Sequence, residues 1–370
     1  MIDFNRGNAT ISVKLVVRGL YLMSKHKRIV DLRSDTVTLP TQEMRNAMAE
    51  AELGDEAYED DPSINRLEEI SAEMSGKEAG LLVSSGTMGN LVAALAHCSR
   101  GDQMIVGHRA HCYIGEMGGA SAHGGIIFRL VDNDERGMLD LTQVEALLNP
   151  KDEPQPKTGM IEFENTHGST GGRVLTKEDM LKVSKLAHKH GIPMHVDGAR
   201  IFNATVALEM PLSDLVQGAD TVTFCLSKGL AAPFGSLLCG SYEDINRAKL
   251  IKKSLGGGLR QAGVMAAAGI IALNKMVDRL SEDHENAYRL ALGLAEIQGI
   301  ELNPEDVETN QVYFNVKIGN QPQLLNELEN NGVRGLILDE GWRFVTHYGI
   351  VRDDIDWALP VINKTFQKFR

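Results

Sequence analysis

Residues 79–98 read AGLLVSSGTMGNLVAALAHC. Ala79–Gly86 reads as a short strand that breaks into a glycine turn. Thr87–Cys98 then has the composition of a helix. The same unit recurs along the chain. "DQMIVG", "GGIIFRLV" and "TGMIEF" are further strand-like runs, "IPMHVDGAR" is a strand ending in a turn at Asp197, and "DTVTFCLSK" is a strand ending at Lys228. Helical stretches separate them. "TKEDMLKVSKLAHKHG" has Thr176 as N-cap, acids in its first turn and Gly191 as its stop. Alternating strands and helices predict an α/β fold around a mostly parallel central sheet.

Flanking segments extend this picture. "DPSINRLEEISAEMSG" sets Ile64, Leu67, Ile70 and Met74 on one helical face, with Asp61 as cap, Pro62 at the first position and Gly76 as the end. Gly263 to about Ile297 reads as one long, bent helix. From Gly299 short strands ("QVYFNVKI", "VRGLILD", "WRFVTHYG") alternate with helices near Gln321–Asn330 and Asp353–Phe369, predicting a smaller α+β domain. The expected division is an extension over 1–28 outside the fold, a large domain over 29–275 and a small one over 276–370. The extension carries six basic residues against the single acid Asp3, which suits an import peptide or a translation start placed ahead of Met23.

The 370 residues are 43% hydrophobic with a formal net charge of -12, so there is enough apolar material for a large core. An acidic surface disfavours nucleic acid and anionic membranes, and no apolar run reaches membrane-spanning length. Cys98, Cys112, Cys225 and Cys239 have neither zinc-like nor disulfide-framework spacing, which implies buried thiols and a cytoplasmic protein.

In open α/β sheets ligands bind beyond the carboxyl ends of the strands. Three such ends are polar here: Ser84–Thr87, Asp197–Arg200 and Ser227–Lys228. A lone lysine leaving a strand ordinarily carries its charge to water. Lys228 instead sits between apolar runs, where desolvation frees the amine for carbonyl chemistry. Asp197 alone would read as a turn former. On one rim with Lys228 it gains a second meaning, because pyridoxal 5'-phosphate takes a lysine on its aldehyde and a carboxylate against its ring nitrogen. "SSGT" before a helix offers amides and hydroxyls for a phosphate, and Ser227 and Arg260 could add a hydroxyl and a charge. Arg200 and Arg343 are candidates for a substrate carboxylate. In "HRAHCYIGE", His108 and His111 lack metal-ligand spacing, so no metal is expected; a ring against the cofactor is the functional alternative to a partly buried histidine.

In order, "VDLRSDTVTLPT", "GDEAYEDDPS", "ENTHGSTGG", "HVDGARIFNA", "CLSKGLAAPFGSLL" and "GGGLRQAGVMAAAG" resemble the low-specificity L-threonine aldolases, fold-type-I pyridoxal-phosphate enzymes. The resemblance covers about Ile29 to Arg370. It implies that Lys228 binds the cofactor aldehyde, Asp197 partners the ring nitrogen, His111 stacks on the ring, and Gly86 and Thr87 contact the phosphate. It further implies that Arg260 reaches the phosphate of a neighbouring subunit. Ser34, Arg200 and Arg343 would hold the substrate carboxylate, and His167 would lie near the substrate hydroxyl. The implied reaction cleaves L-threonine or L-allo-threonine to glycine and acetaldehyde, in a homotetramer or homodimer with shared active sites. A β-eliminating lyase or an aminotransferase shares the lysine–aspartate pair and is the alternative; a non-enzymatic cofactor-binding protein is a third.

Overall fold

The computed structural model describes residues 28–149, 155–339 and 341–369. The extension expected over 1–28 lies outside the described residues except for Arg28. Strands in chain order are β1 (Val30–Asp31), β2 (Ala79–Val83), β3 (Gln103–Gly107), β4 (Ile127–Val131), β5 (Thr158–Glu164), β6 (Met194–Asp197), β7 (Thr221–Cys225), β8 (Ser236–Gly240), β9 (Ile300–Glu301), β10 (Gln311–Val316), β11 (Val333–Arg334), β12 (Leu336–Leu338) and β13 (Gly341–Val345).

Seven of them form one sheet in the order β2-β8-β7-β6-β5-β3-β4. Its inner strands β3, β5, β6, β7 and β8 are buried at every residue, which is why they read as continuous apolar runs rather than alternating ones. The sheet is parallel except for β8, which runs against both neighbours. Strand β8 is not expected from the sequence. β7 returns to it through a turn over 226–235 with no crossover helix, and such a short return forces an antiparallel partner. For the same reason β7 ends at Cys225, and Lys228 stands in the turn rather than on the strand.

Local signals place the helices well. Asp61 accepts from the amides of Ser63 and Ile64, with Pro62 opening the helix and Gly76 ending it in the left-handed region at φ 64°. Thr176 and Asp179 form a capping box. The expected single helix from Gly263 is two, Gly263–Lys275 and Leu280–Ala295. The break has a packing cause. Leu273, Met276 and Leu280 bury in the core under the large sheet, whereas Leu290, Ala291 and Leu294 bury in a second core. The apolar face must turn from one to the other.

That second core lies on the antiparallel sheet β12-β13-β10-β9. Trp342, Phe344 and Phe314 stack within it, and the helices Gln321–Asn330 and Arg352–Gln367 cover it. Val30 and Leu32 belong to this core, because β1 pairs in parallel with β11. The chain therefore passes from the small unit at Val30–Leu32 to the side of the large one, and this brings residues 33–38 to the sheet's rim.

Candidate active site

β5, β6 and β7 end side by side, with Glu164 opposite Asp197 and Asp197 opposite Thr223. Next to them Ser85 caps the helix Gly86–His97 by accepting from the Met88 amide. A cavity of about 180 Å³ opens there, lined among others by Gly86, Thr87, His111, Asp197, Ser227 and Lys228. Six of the expected residues are thus brought together.

The lysine is presented by a braced turn. Leu226 N donates to Gly235 O at 3.0 Å and Ala232 N to Leu226 O at 3.1 Å. The Lys228 carbonyl accepts from Ala231 N and from Thr38 Oγ1, each at 2.9 Å. Asp197 is 1% exposed; its Oδ1 accepts from Ala199 N at 3.0 Å and its Oδ2 from Asn90 Nδ2 at 2.8 Å. The helix start packs too close to the sheet to carry a side chain there. A Cβ at Gly86 would come within 2.8 Å of Cys225 Sγ, and one at Gly89 within 2.5 Å of Thr223 Cγ2.

This donor set fits pyridoxal phosphate: an amine, a buried carboxylate and the free amides and positive end of a capped helix share one cavity.

His111 is half exposed, and its Nδ1 lies 3.1 Å from Glu116 Oε1. Burial pushes the Glu116 carboxyl up, and the hydrogen bond to Glu116 pushes the His111 imidazole up against its own burial. The two hold a proton between them. His111, Glu116 and Asp197 bring ligand-type atoms within 4.8 Å of one another, which could also suit a cation; Asn90 Nδ2 donates to both carboxylates and ties them into a hydrogen-bond network.

The residues expected to hold a substrate carboxylate meet the segment after β1. Arg343 on β13 donates from Nη2 to the Arg33 carbonyl at 3.2 Å, and its buried Nε has no hydrogen-bond partner among the described residues. Ser34 caps the short turn Asp35–Val37. Arg200 does not present a free guanidinium: Nε and Nη2 are both engaged by Asp35, which is fully buried. Ser34, Arg200 and Arg343 do not line the 180 Å³ cavity; of the segment 33–38 that they meet, Thr36 does.

Two expected residues stand apart. The His167 ring is buried at 1% exposure with no hydrogen bond to either nitrogen among the described residues, and its Nε2 is 3.8 Å from Glu164 Oε2. That same Glu164 oxygen accepts from the His111 amide at 2.9 Å, so His167 lies behind the cavity wall. Arg260 is 63% exposed, 3.8 Å from Asp55, and lines a separate cleft of about 480 Å³ with Glu56 and Lys252. Sequence reasoning misses Asn90, Asp35, Glu162 and His195. Of Glu116 it sees only the spacing from His111, a weak metal signal. A polar residue inside an apolar strand, as at Glu162 and His195, is the available clue.

The four cysteines are free and buried. No helix among the described residues is long and apolar enough to cross a membrane.

Known proteins resemble this chain at three levels. Residues 31–317 match the model of the β-eliminating lyase family. Over 342 residues the chain is 45% identical to low-specificity L-threonine aldolase 1 of Arabidopsis thaliana, covering 90% of this chain and 95% of that one. It is 41% identical over 329 residues to the low specificity L-threonine aldolase of Escherichia coli K12, covering 88% and 96%. Among solved structures, Leishmania major threonine aldolase superposes with a TM-score of 0.75 at 19% identity, over 90% of this chain and 98% of that one. Sphingomonas wittichii serine palmitoyltransferase gives 0.71 at 14%, over 98% and 99%. At such identities the structures speak for the fold, the fold-type-I α/β architecture. The site geometry and the extent of the sequence match lead to one assignment: the chain belongs to the β-eliminating lyase family and to its low-specificity L-threonine aldolase group.

Proposed function

We propose that this protein cleaves L-threonine and L-allo-threonine to glycine and acetaldehyde by a retro-aldol reaction with pyridoxal 5'-phosphate. One observation carries the reading: Lys228, Asp197, His111 and the start of the helix Gly86–His97 line a single cavity. Lys228 and Asp197 would hold the cofactor at its aldehyde and ring nitrogen, Gly86, Thr87 and Ser227 at its phosphate. The group, when bound, supplies an electron sink for the bond broken at Cα.

The chain's own residues do the rest. Arg343, whose buried Nε has no hydrogen-bond partner among the described residues, is assigned to the substrate carboxylate together with Ser34 and Arg200. His111 takes the proton of the β-hydroxyl, and Glu116 at 3.1 Å orients the ring and shares that proton. His167 acts from behind, against Glu164. Arg260 points away from its own cavity and is assigned to the phosphate of a neighbouring subunit, in a homotetramer or homodimer with shared sites. A large domain over 29–275, whose first strand Val30–Asp31 packs with the small one over 276–370, a cytoplasmic location and a role in glycine biosynthesis and threonine catabolism complete the proposal. Loose discrimination between the diastereomers is expected, since one methyl group is worth only about 1–3 kcal/mol of selectivity.

The test is product analysis of cofactor-loaded protein with L-threonine, L-allo-threonine and the D isomers. Glycine plus acetaldehyde from the L substrates supports the proposal. Ammonia plus a keto acid would replace it with a β-eliminating lyase, and amino-group transfer with an aminotransferase.

A further inference from the structure

Behind Asp197 a line of polar side chains runs through Asn90, His195 and Thr221 to His97. Asn90 Nδ2 faces Asp197 Oδ2 at 2.8 Å and Glu116 Oε1 at 3.0 Å. An ionised carboxylate only accepts, so the amide must turn its nitrogen to that side. Its oxygen then faces His195 Nε2 at 3.2 Å, and an amide oxygen also only accepts, so His195 carries its proton on Nε2. His195 is fully buried and both its ring nitrogens meet neutral groups, Asn90 and Thr221, so the ring is neutral and Nδ1 is left as an acceptor. Thr221 Oγ1 lies 2.9 Å from that nitrogen and donates to it. With its hydrogen committed, the hydroxyl accepts from His97 Nε2 at 3.0 Å. Burial lowers His97, whose Nδ1 lies 3.9 Å from Asp244.

We propose that His97, Thr221, His195 and Asn90 form a directional positioning chain whose donor hydrogens all point toward Asp197, fixing that carboxylate as a charged, acceptor-only partner for a protonated ring nitrogen. The inference rests on the reading that Asp197 faces the cofactor nitrogen. Thr221 is the joint of the chain, because a hydroxyl can receive from one histidine and give to the next. Reversing the chain would turn the Asn90 oxygen onto Asp197, acceptor against acceptor. The chain therefore has one stable polarity, and it links two strands and a helix: Asn90 and His97 on Gly86–His97, His195 on β6, Thr221 on β7 and Asp197 at the end of β6.

The experiment uses the full-length holoenzyme with Thr221→Val and Thr221→Ser. Two-bond nitrogen–proton spectra of histidine-labelled wild type should show His195 and His97 neutral with the proton on Nε2. Finding His195 protonated on Nδ1 overturns the proposal. Thr221→Val should weaken pyridoxal-phosphate binding and lower kcat about tenfold each, the effect of one buried hydrogen bond, with KM for L-threonine nearly unchanged. It should also shift the visible absorption of the bound cofactor, and Thr221→Ser should restore all three. A Thr221→Val enzyme with wild-type cofactor affinity and spectrum, or a Thr221→Ser enzyme as impaired as the valine variant, overturns it. Wild-type protein that takes up no cofactor would instead sink the functional reading, while the tautomer measurement, which needs no variant and no turnover, still decides the direction of the chain.

Discussion

Arg200 and Asp35 are locked together, with Nε and Nη2 of the arginine each 2.7 Å from a carboxylate oxygen. Asn310 Nδ2 reaches the same carboxylate at 3.3 Å from the small unit's side. Asp35 is thus the pin between Arg200 of the large sheet's rim and the segment preceding β10.

Asp35→Asn should lower stability by about 3–5 kcal/mol, because it leaves the Arg200 charge buried without its counter-ion. Burial alone would push the Asp35 carboxyl up; Arg200, with the Lys228 charge, holds it well below its ordinary value of 3.8. A depressed carboxyl contributes stability that is fully present above 3.8 and lost as pH falls through the folded-state value. The wild-type acid limb below that pH should therefore be steeper than that of Asp35→Asn. Denaturant melts across the acid range check both points.

Lys228→Ala should remove turnover almost entirely and leave the melting temperature close to wild type. Its carbonyl, not its side chain, braces the turn through Ala231 and Thr38. Wild-type-like glycine release from this variant would refute the assignment.

Glu116→Gln should bring the His111 titration midpoint down. The hydrogen bond to Glu116 is the main cause of its upward shift. A raised imidazole stabilises the fold fully below 6.5, and that contribution fades as pH rises through the folded midpoint. The rising limb of kcat/KM, which needs the neutral ring, should move to lower pH. Replacing His111 itself should cost about 10²–10⁴ in rate. Histidine NMR titration and pH–rate profiles measure these effects.

Arg343→Ala should raise KM for L-threonine by about ten- to hundredfold, the value of hydrogen bonds to a charged group, with a smaller fall in kcat. Steady-state kinetics with L-threonine and with an amino alcohol lacking the carboxylate separate the two. The amino alcohol should be indifferent to the substitution.

Much of the architecture is legible in the sequence. Each expected parallel strand is present, and the strand ends that lead to Gly86, Asp197 and Lys228 converge, because apolar runs of strand length and their turn residues are local signals. Strand β8 escapes notice since its antiparallel course is set by the turn before it and by pairing to β2, far away in sequence. The helix break near Met276 depends on two cores competing for one apolar face. Asp35 and Asn90 act through partners at separations of 165 and 107 residues, which no spacing rule reports.

The braced turn around residue 228 has a mechanical consequence. Its backbone is anchored at both ends and in the middle, so the amine can be captured and let go by rotation of its own four-carbon stem alone. Loading and unloading this site asks for no hinge: the pivot stays put while only the arm swings.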